Sequence, residues 1–199
     1  VPGAGAADKA LPGPIAIPGT YQVRLTVGET THLKKFELFQ DPNSRASIDD
    51  LTKQRDLLIQ LRNERTALSS AVHQARDIRD QVEQLDNRAL LTNNIDSVKN
   101  ISDDLIKKLT SIEEDLIQVK ADGQMDGISH PAKLDAKIAE LTVVVASGDY
   151  PPTAQDHDLF EDLCFRLQTV LDRLQKVIES DLKDYMDALS ELTLPVIKI

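Results

Sequence analysis

The sequence predicts a mainly α-helical protein: an antiparallel four-helix bundle with long helices, preceded by a β-hairpin. Two uninterrupted stretches carry this prediction. Neither glycine nor proline occurs between Pro42 and Gly123, and the stretch from Thr153 to Leu192 is equally free of both. In each stretch apolar residues recur at steps of three and four, which places them on one stripe of a helix. Because so long an apolar stripe needs equally long partners, we expect the helices to pack against one another.

The chain divides into three predicted parts. Residues 1–42 hold a Pro/Gly-rich linker and the hairpin, residues 43–194 hold the helix bundle, and residues 195–199 form a C-terminal tail. The first 19 residues contain four of the nine prolines and four of the eight glycines. Proline fixes φ and donates no backbone hydrogen bond, so this stretch is expected to be an extended linker or an edge loop.

A period-two pattern indicates the hairpin. The first strand alternates apolar with polar residues, and a second strand, roughly residues 31–39, places Phe36 and Leu38 on one face. Since two strands alone are marginal in water, the apolar face needs a cover, from the helices or from another polypeptide segment. Apart from a short possible strand at 194–199, nothing else in the sequence resembles one, so the hairpin is expected to end a β domain that begins elsewhere. The apolar residues of the first strand are Tyr21, Val23, Leu25 and Val27.

Four helices of unequal length follow the hairpin. Ser47 with Asp50, and Thr153 with Asp156, have the three-residue spacing of helix starts. Because the four helices have unequal lengths, part of the longest pair is expected to project beyond the shortest helix. The predicted helices cover roughly residues 47–85, 95–119, 131–145 and 153–192, with a break near 86–94 and with Gly123 and Gly127 ending the second.

The charge balance excludes some classes of partner. A net charge of −10 argues against nucleic acid and against anionic lipid, because both require a basic surface. No apolar run reaches the length of a membrane span. The single cysteine, Cys164, lies in the long C-terminal predicted helix, where a small buried side chain is expected rather than a nucleophile. The chain begins at Val1 rather than methionine, so we expect a processed protein or a piece of a longer one.

Several ionisable residues have spacings that bear on metal binding. His73 and Asp77 lie one helical turn apart, as do His157 and Glu161, but a zinc site needs three or four converging ligands. The acidic runs at 103–104 and 113–115 lack the Glu-x-x-His partner that a di-metal site in a bundle needs, and are expected to be outer-face charges. No metal-binding residue is predicted.

Two features of the predicted helices bear on packing and recognition. Arg65 and Arg79 fall close to the apolar seam of the first helix, so each is expected to bury its stem and hold its charge at the rim beside a carboxylate. The stretch from Tyr150 to Pro152 is either a recognition spot or a rigid connector between helices. No phosphate-binding loop, nucleophile elbow or Cys–His pair is present. The sequence predicts no catalytic residue, no cofactor and no enzyme.

The segment from Pro12 to Gly28 resembles the closing hairpin of an Ig-like domain in large secreted bacterial proteins that carry a sortilin-type or BNR-repeat β-propeller. These proteins are often labelled glycosyl-hydrolase-like. In that family an Asp-Pro pair follows the hairpin, as Asp41-Pro42 does here, and a helical C-terminal region comes next. The similarity continues over residues 133–141 and 152–155. The resemblance implies an exported protein whose propeller lies outside these residues, so no catalytic residue is carried over.

Three functions follow as expectations. The first is a non-catalytic C-terminal accessory or assembly module of an exported β-propeller protein. Its partners would be the remainder of the Ig-like sheet and the propeller, on the same or a separate chain. The second is a free-standing coiled-coil-like adaptor that binds its partner through the projecting helix ends. The third, and least favoured, is a hydrolase.

Overall fold

The structure, a computed structural model, describes residues 13–89, 96–119 and 130–191. It is mainly helical, with an antiparallel two-stranded hairpin and four helices, as the sequence predicts. Some predictions fall outside the described residues. These are the glycines that end the second helix (Gly123 and Gly127), the possible strand at 194–199, the tail at 195–199 and the helix end at Leu192.

The hairpin consists of β1 (Gly19–Val27) and β2 (Thr30–Leu38), and the prediction of both strands is confirmed. The strands pair antiparallel and a two-residue turn joins them. Gly28 occupies the first turn position with a φ of 58°, a backbone conformation that glycine adopts without steric cost. Glycine at this position is typical of type II′ hairpin turns, whose twist matches that of the flanking strands.

Four helices follow, and the last one continues through a short π-helical segment. A π-helical turn has one extra residue, and the apolar spacing of the sequence did not predict it. The third helix begins at Leu134 rather than at Pro131, and the second ends at Leu116 rather than at Val119. The elements are α1 (Ile48–Ala89), α2 (Asp96–Leu116), α3 (Leu134–Val145), α4 (Ala154–Lys176), the π-helical segment (Val177–Asp181) and α5 (Leu182–Ser190).

Both predicted helix starts are confirmed. The backbone N–H of Asp156 donates to the Thr153 hydroxyl, and the Asp156 carboxylate accepts from the Thr153 backbone N–H. Ser47 and Asp50 make the same reciprocal pair at the start of α1. Each pair satisfies backbone donors that the first turn of a helix leaves without intrahelical partners.

Helices α2 and α3 pack on successive lengths of α1. In α2, Ser102 bonds to Asp86 of α1. In α3, Asp135 pairs with Arg65, and the carbonyl of Val145 accepts a 2.7 Å hydrogen bond from the Gln54 side chain. Both helices run antiparallel to α1, α2 along its C-terminal half and α3 along its N-terminal half.

The C-terminal helical segments run antiparallel to α2 and therefore parallel to α1. Arg173 of α4 pairs with Asp115, and further along Asp181 of the π-helical segment lies 2.6 Å from the amine of Lys108. Any cross-section of the helical region therefore contains three helices side by side. These are α1, the C-terminal helix (α4, the π-helical segment or α5) and either α2 or α3. The buried apolar side chains of all these helices form one continuous core, to which the hairpin contributes no residue.

Candidate interaction surface

One face of the hairpin is apolar and exposed. The strand register places all the apolar residues of both strands except Leu33 on the same side, because residues two apart in a strand share a face. Leu25 and Val27 keep 59% and 64% of their surface exposed, and Phe36 keeps 48%. The surfaces of soluble monomeric proteins seldom carry such an apolar patch unless it binds a partner. We call this surface the apolar hairpin face, after its apolar residues Tyr21, Val23, Leu25, Val27, Phe36 and Leu38. Thr30, His32 and Lys34 of β2 lie on the same side, opposite Val27, Leu25 and Val23.

Tyr21 organises the start of this face. Its ring stacks on that of Phe36 across the strands, with 5.9 Å between the ring centroids. Its hydroxyl donates a 2.6 Å hydrogen bond to the carbonyl of Ile17, four residues upstream. The bond fixes the chain that enters β1, which bends at Pro18 just before the strand. Both contacts pre-organise a surface that has nothing packed over it among the described residues.

No described helix covers the hairpin. The two strands contact each other, and neither lies against a helix of the described chain. The opposite face is mostly polar, with Gln22 and Arg24 on β1 and Lys35 and Glu37 on β2, and its one apolar side chain is the exposed Leu33. One apolar and one polar face is the pattern of an antiparallel sheet that packs on one side and meets water on the other. The first of the two expected covers, the chain's own helices, is therefore excluded for the described residues.

A groove of about 1000 Å³ opens at the base of the hairpin. The segment entering β1 and the segment leaving β2 form one wall, with Ile15 and Phe39 exposed. Helices α1 and α3 form the other wall, which includes Leu51 and Val143. The groove also contains both arginines and aspartates, so its charge favours no single class of ligand.

A second, smaller groove of about 460 Å³ lies between α1 and α5. These two helices have no close backbone approach, although the Tyr185 hydroxyl reaches across to α1. Val82 and Leu182 line the groove, and Met186, which is 59% exposed, stands at its edge. The side chains that line it continue the core of the helical region.

The histidine and carboxylate pairs with metal-ligand spacing do not converge. His73, Asp77, His157 and Glu161 are all exposed on helix surfaces. Within residues 13–89, 96–119 and 130–191, no group of three or more His, Cys, Asp or Glu side chains could hold a metal ion. These pairs therefore form no site in this part of the chain.

The prediction for the acidic runs is correct for one and wrong for part of the other. Asp103 and Asp104 are exposed and pair with Lys99 and Lys108 at one helical turn, as outer-face charges do. Hydrogen bonds from Lys108, first to Asp104 and then to Asp181, raise the pKa of its amine.

Glu113, in contrast, is buried, with 4% of its surface exposed. It accepts from Arg76 at 2.6 Å and from Arg79 at 2.7 Å. The expectation of an outer face rests on the absence of a Glu-x-x-His partner, which says nothing about how α2 packs on α1. The structure turns it toward α1, where two half-buried guanidinium groups compensate its charge. The expectation that Arg65 and Arg79 meet carboxylates is confirmed.

Cys164 is half-buried rather than fully buried. Burial, and then the negative charges of Glu64 and Glu161, raise the pKa of its thiol to about 11. A nucleophilic cysteine has a lowered pKa, because the thiolate is the reactive form. The environment of Cys164 instead raises its thiol pKa and so keeps the thiol protonated.

The loop from Tyr150 to Pro152 folds back on the end of α3. The Tyr150 hydroxyl lies 3.1 Å from the carbonyl of Val144 and contacts the Ser147 hydroxyl. These contacts hold the loop against the helix it follows. They favour a connector over a recognition spot, the two alternatives that the sequence left open.

Sequence reasoning missed two features of this surface. The hydrogen bond from Tyr21 to Ile17 has a local signal, since Pro18 bends the chain three residues before the tyrosine. The groove between α1 and α5 has no such signal, because it depends on how far two helices diverge in space.

Comparisons of the chain with protein-family models, with curated proteins and with solved structures found no match. Among the described helices, none combines the length and the apolar character that a bilayer crossing requires. The assignment of function therefore depends on the geometry of the hairpin and of the helical region.

Proposed function

We propose that this chain is a non-catalytic accessory module of a larger exported β-propeller protein, and that it docks through the apolar hairpin face. In this proposal the hairpin is the end of an Ig-like domain, and the four helices form the bundle that carries it, with three helices side by side at each level. The remainder of the Ig-like sheet and the propeller lie on the same or a separate chain. The observation that carries the proposal is the exposed apolar face that no described helix covers.

The contact of Tyr21 supports the Ig-like assignment independently of composition. In Ig-like sandwiches the hydroxyl of a tyrosine near the start of strand F donates a hydrogen bond to the backbone a few residues upstream. Tyr21 stands at the third position of β1 and bonds to the carbonyl of Ile17. On this basis β1 corresponds to strand F and β2 to strand G.

The energetics favour a covered state. Burying a valine or a leucine side chain fully contributes about 1.5–3 kcal/mol. The apolar hairpin face presents several such side chains in one plane, and its stacked aromatic pair needs no rearrangement before docking. Little ordering entropy then opposes association, which is the advantage of a pre-organised surface.

Native mass spectrometry of the protein from its natural source tests the proposal. It should find these residues in a longer chain or in a stable complex with a propeller protein. The double variant Val23→Thr/Leu25→Thr should weaken docking by about 3 kcal/mol, roughly a hundredfold in the dissociation constant. Gln22→Thr/Arg24→Thr is the matched control, because it alters the same strand on the polar face. A stable isolated monomer with an exposed hairpin would refute the proposal.

The groove between α1 and α5 favours a second candidate, a free-standing coiled-coil-like adaptor. A partner helix could fill the groove and contact Val82, Leu182 and Met186. Light scattering over a dilution series separates the two candidates, since an adaptor of this kind should form concentration-dependent oligomers. Met186→Lys should abolish those oligomers, whereas Lys183→Met should leave them unchanged.

A further inference from the structure

We infer that a partner strand adds antiparallel to the free edge of β1, and not to that of β2, so that β1 becomes an interior strand. This inference rests on the proposed function and names the edge through which the docking module joins its sheet. The occupant is a segment of another polypeptide region with alternating apolar and polar residues. Its apolar side chains extend the apolar hairpin face.

The pairing register identifies the backbone groups that are available. In a hairpin with a two-residue turn, the pair flanking the turn is hydrogen-bonded, and bonded and non-bonded pairs then alternate. Val27 and Thr30 flank the turn here. The residues whose N–H and C=O groups point away from the partner strand are therefore Thr20, Gln22, Arg24 and Thr26 on β1, and Thr31, Leu33, Lys35 and Glu37 on β2.

The charges of the two strands distinguish their edges. β2 carries Lys34, Lys35 and Glu37, whereas β1 carries the single charge of Arg24. Charged side chains, lysine in particular, are the usual protection of a strand that stays at the edge of a sheet. The distribution marks β2 as the outer strand and β1 as the one prepared for pairing.

The position of Tyr21 also indicates that the partner strand pairs with β1. Strand F lies between strands C and G in the sheet of an Ig-like sandwich. With β2 in the position of strand G, the open place is beside β1. Among the described residues no third strand occupies it.

A second copy of the chain is a poor occupant. Each chain carries a net charge of −10, so bringing two copies together is opposed by their mutual repulsion. A separate segment with a strand pattern and without this acidic net charge avoids the repulsion.

The test uses the full 199-residue chain and a synthetic probe. The probe is a peptide of alternating valine and threonine with lysine at both ends, N-methylated at alternate residues so that only one of its edges can pair. Amide exchange followed by NMR should slow at least tenfold for Gln22 and Arg24 at saturating peptide. The amides of Leu33 and Lys35 should exchange at unchanged rates.

Two proline variants provide the matched control. Gln22→Pro removes an outward N–H from β1, and Lys35→Pro removes one from the cross-strand partner residue on β2. Both positions tolerate proline, because neither N–H takes part in the ladder between the strands. Gln22→Pro should weaken peptide binding at least tenfold, and Lys35→Pro should leave it unchanged.

Three results would overturn the inference. The first is slowed exchange of the Leu33 and Lys35 amides in place of the β1 amides, and the second is no binding of the peptide by the wild-type chain. The third is a dimer that forms without peptide and slows exchange of the outward amides of β1. A native complex that depends on Val23 and Leu25 but protects Leu33 and Lys35 would retain the proposed function and refute the edge assignment. The experiments can therefore refute the edge assignment without refuting the proposed docking function.

Discussion

The hydroxyl of Tyr185 in α5 lies 3.1 Å from a carboxylate oxygen of Asp86 in α1 and donates a hydrogen bond to it. The other carboxylate oxygen accepts from Ser102 of α2 at 2.6 Å. Asp86 is buried, and Lys99 lies 3.5 Å from it at the surface. One carboxylate thus joins three helices at the end of the core opposite the hairpin.

Tyr185→Phe should destabilise the helical region by about 1–3 kcal/mol, because it removes a donor from a buried, charged acceptor. The loss would appear as a lower midpoint of urea unfolding, followed by far-ultraviolet circular dichroism. Tyr150→Phe is the control, since that hydroxyl is exposed and contacts its own loop. Equal midpoints for Tyr185→Phe and the wild type would contradict the importance of this contact.

The same tyrosine predicts a loss of stability in alkali. Burial, then the charge of Asp86 and the hydrogen bond to it, raise the pKa of the Tyr185 phenol above its ordinary value of 10.0. Above pH 10.0 the unfolded chain therefore releases this proton before the folded chain does, and stability falls as the pH rises. Below that pH the contribution is fully present. Tyr185→Phe should show a shallower alkaline decline in unfolding free energy than the wild type, and parallel declines would rule out this origin.

Glu113→Ala should cost about 3 kcal/mol, because it leaves the half-buried guanidinium groups of Arg76 and Arg79 without the carboxylate that compensates them. Asp103→Ala in the same helix should cost less than about 1 kcal/mol, since its pair with Lys99 is exposed to solvent. Chemical unfolding of both variants against the wild type measures the difference. A similar small effect for both would mean that the charges on α1 are compensated by other groups.

The sequence predicted the elements that depend on local pattern. Alternation placed Tyr21, Val23, Leu25 and Val27 on one face, and the capping pairs located the starts of α1 and α4. These features are local because a strand or a first helical turn is defined within a few residues. The expectation that the hairpin lacks a cover followed from the scarcity of other strand patterns in the sequence.

Features that depend on the relative position of helices could not be read from the sequence. Glu113 and Glu114 are neighbours in an acidic run, and only the packing of α2 on α1 turns the first toward two arginines. Likewise, spacing gave four helices but not the succession of α2 and α3 along α1. A periodic pattern gives the apolar stripe of each helix, whereas pairing depends on which stripes meet.

Tyr21→Phe should loosen the hairpin without affecting the helices. It removes the 2.6 Å hydrogen bond to Ile17 but keeps the ring that stacks on Phe36. A net value of about 1 kcal/mol for such a bond corresponds to roughly fivefold faster amide exchange in β1 and β2. The unfolding midpoint of the helices should not change, since the strands contact no described helix. A lower midpoint would reveal coupling between the hairpin and the helical region.

Cys164 should alkylate slowly in the folded protein. Its thiol pKa is raised to about 11 from an ordinary 9.0, so the thiolate fraction at neutral pH is roughly a hundredfold lower than in the unfolded chain. The higher nucleophilicity of a more basic thiolate offsets part of this, which leaves at least about a tenfold difference in rate. Iodoacetamide labelling followed by mass spectrometry, with and without urea, measures it.

The cause of the slow alkylation can be separated from simple shielding. Glu64→Gln and Glu161→Gln should each accelerate labelling of the folded protein a few-fold, because removing a nearby negative charge lowers the thiol pKa. Glu140→Gln, in the neighbouring α3, is the control and should have no effect. The wild-type rate should keep rising with pH up to about 11. A plateau near 9.0, or rates insensitive to both glutamates, would show that access to the thiol rather than its ionisation limits the reaction.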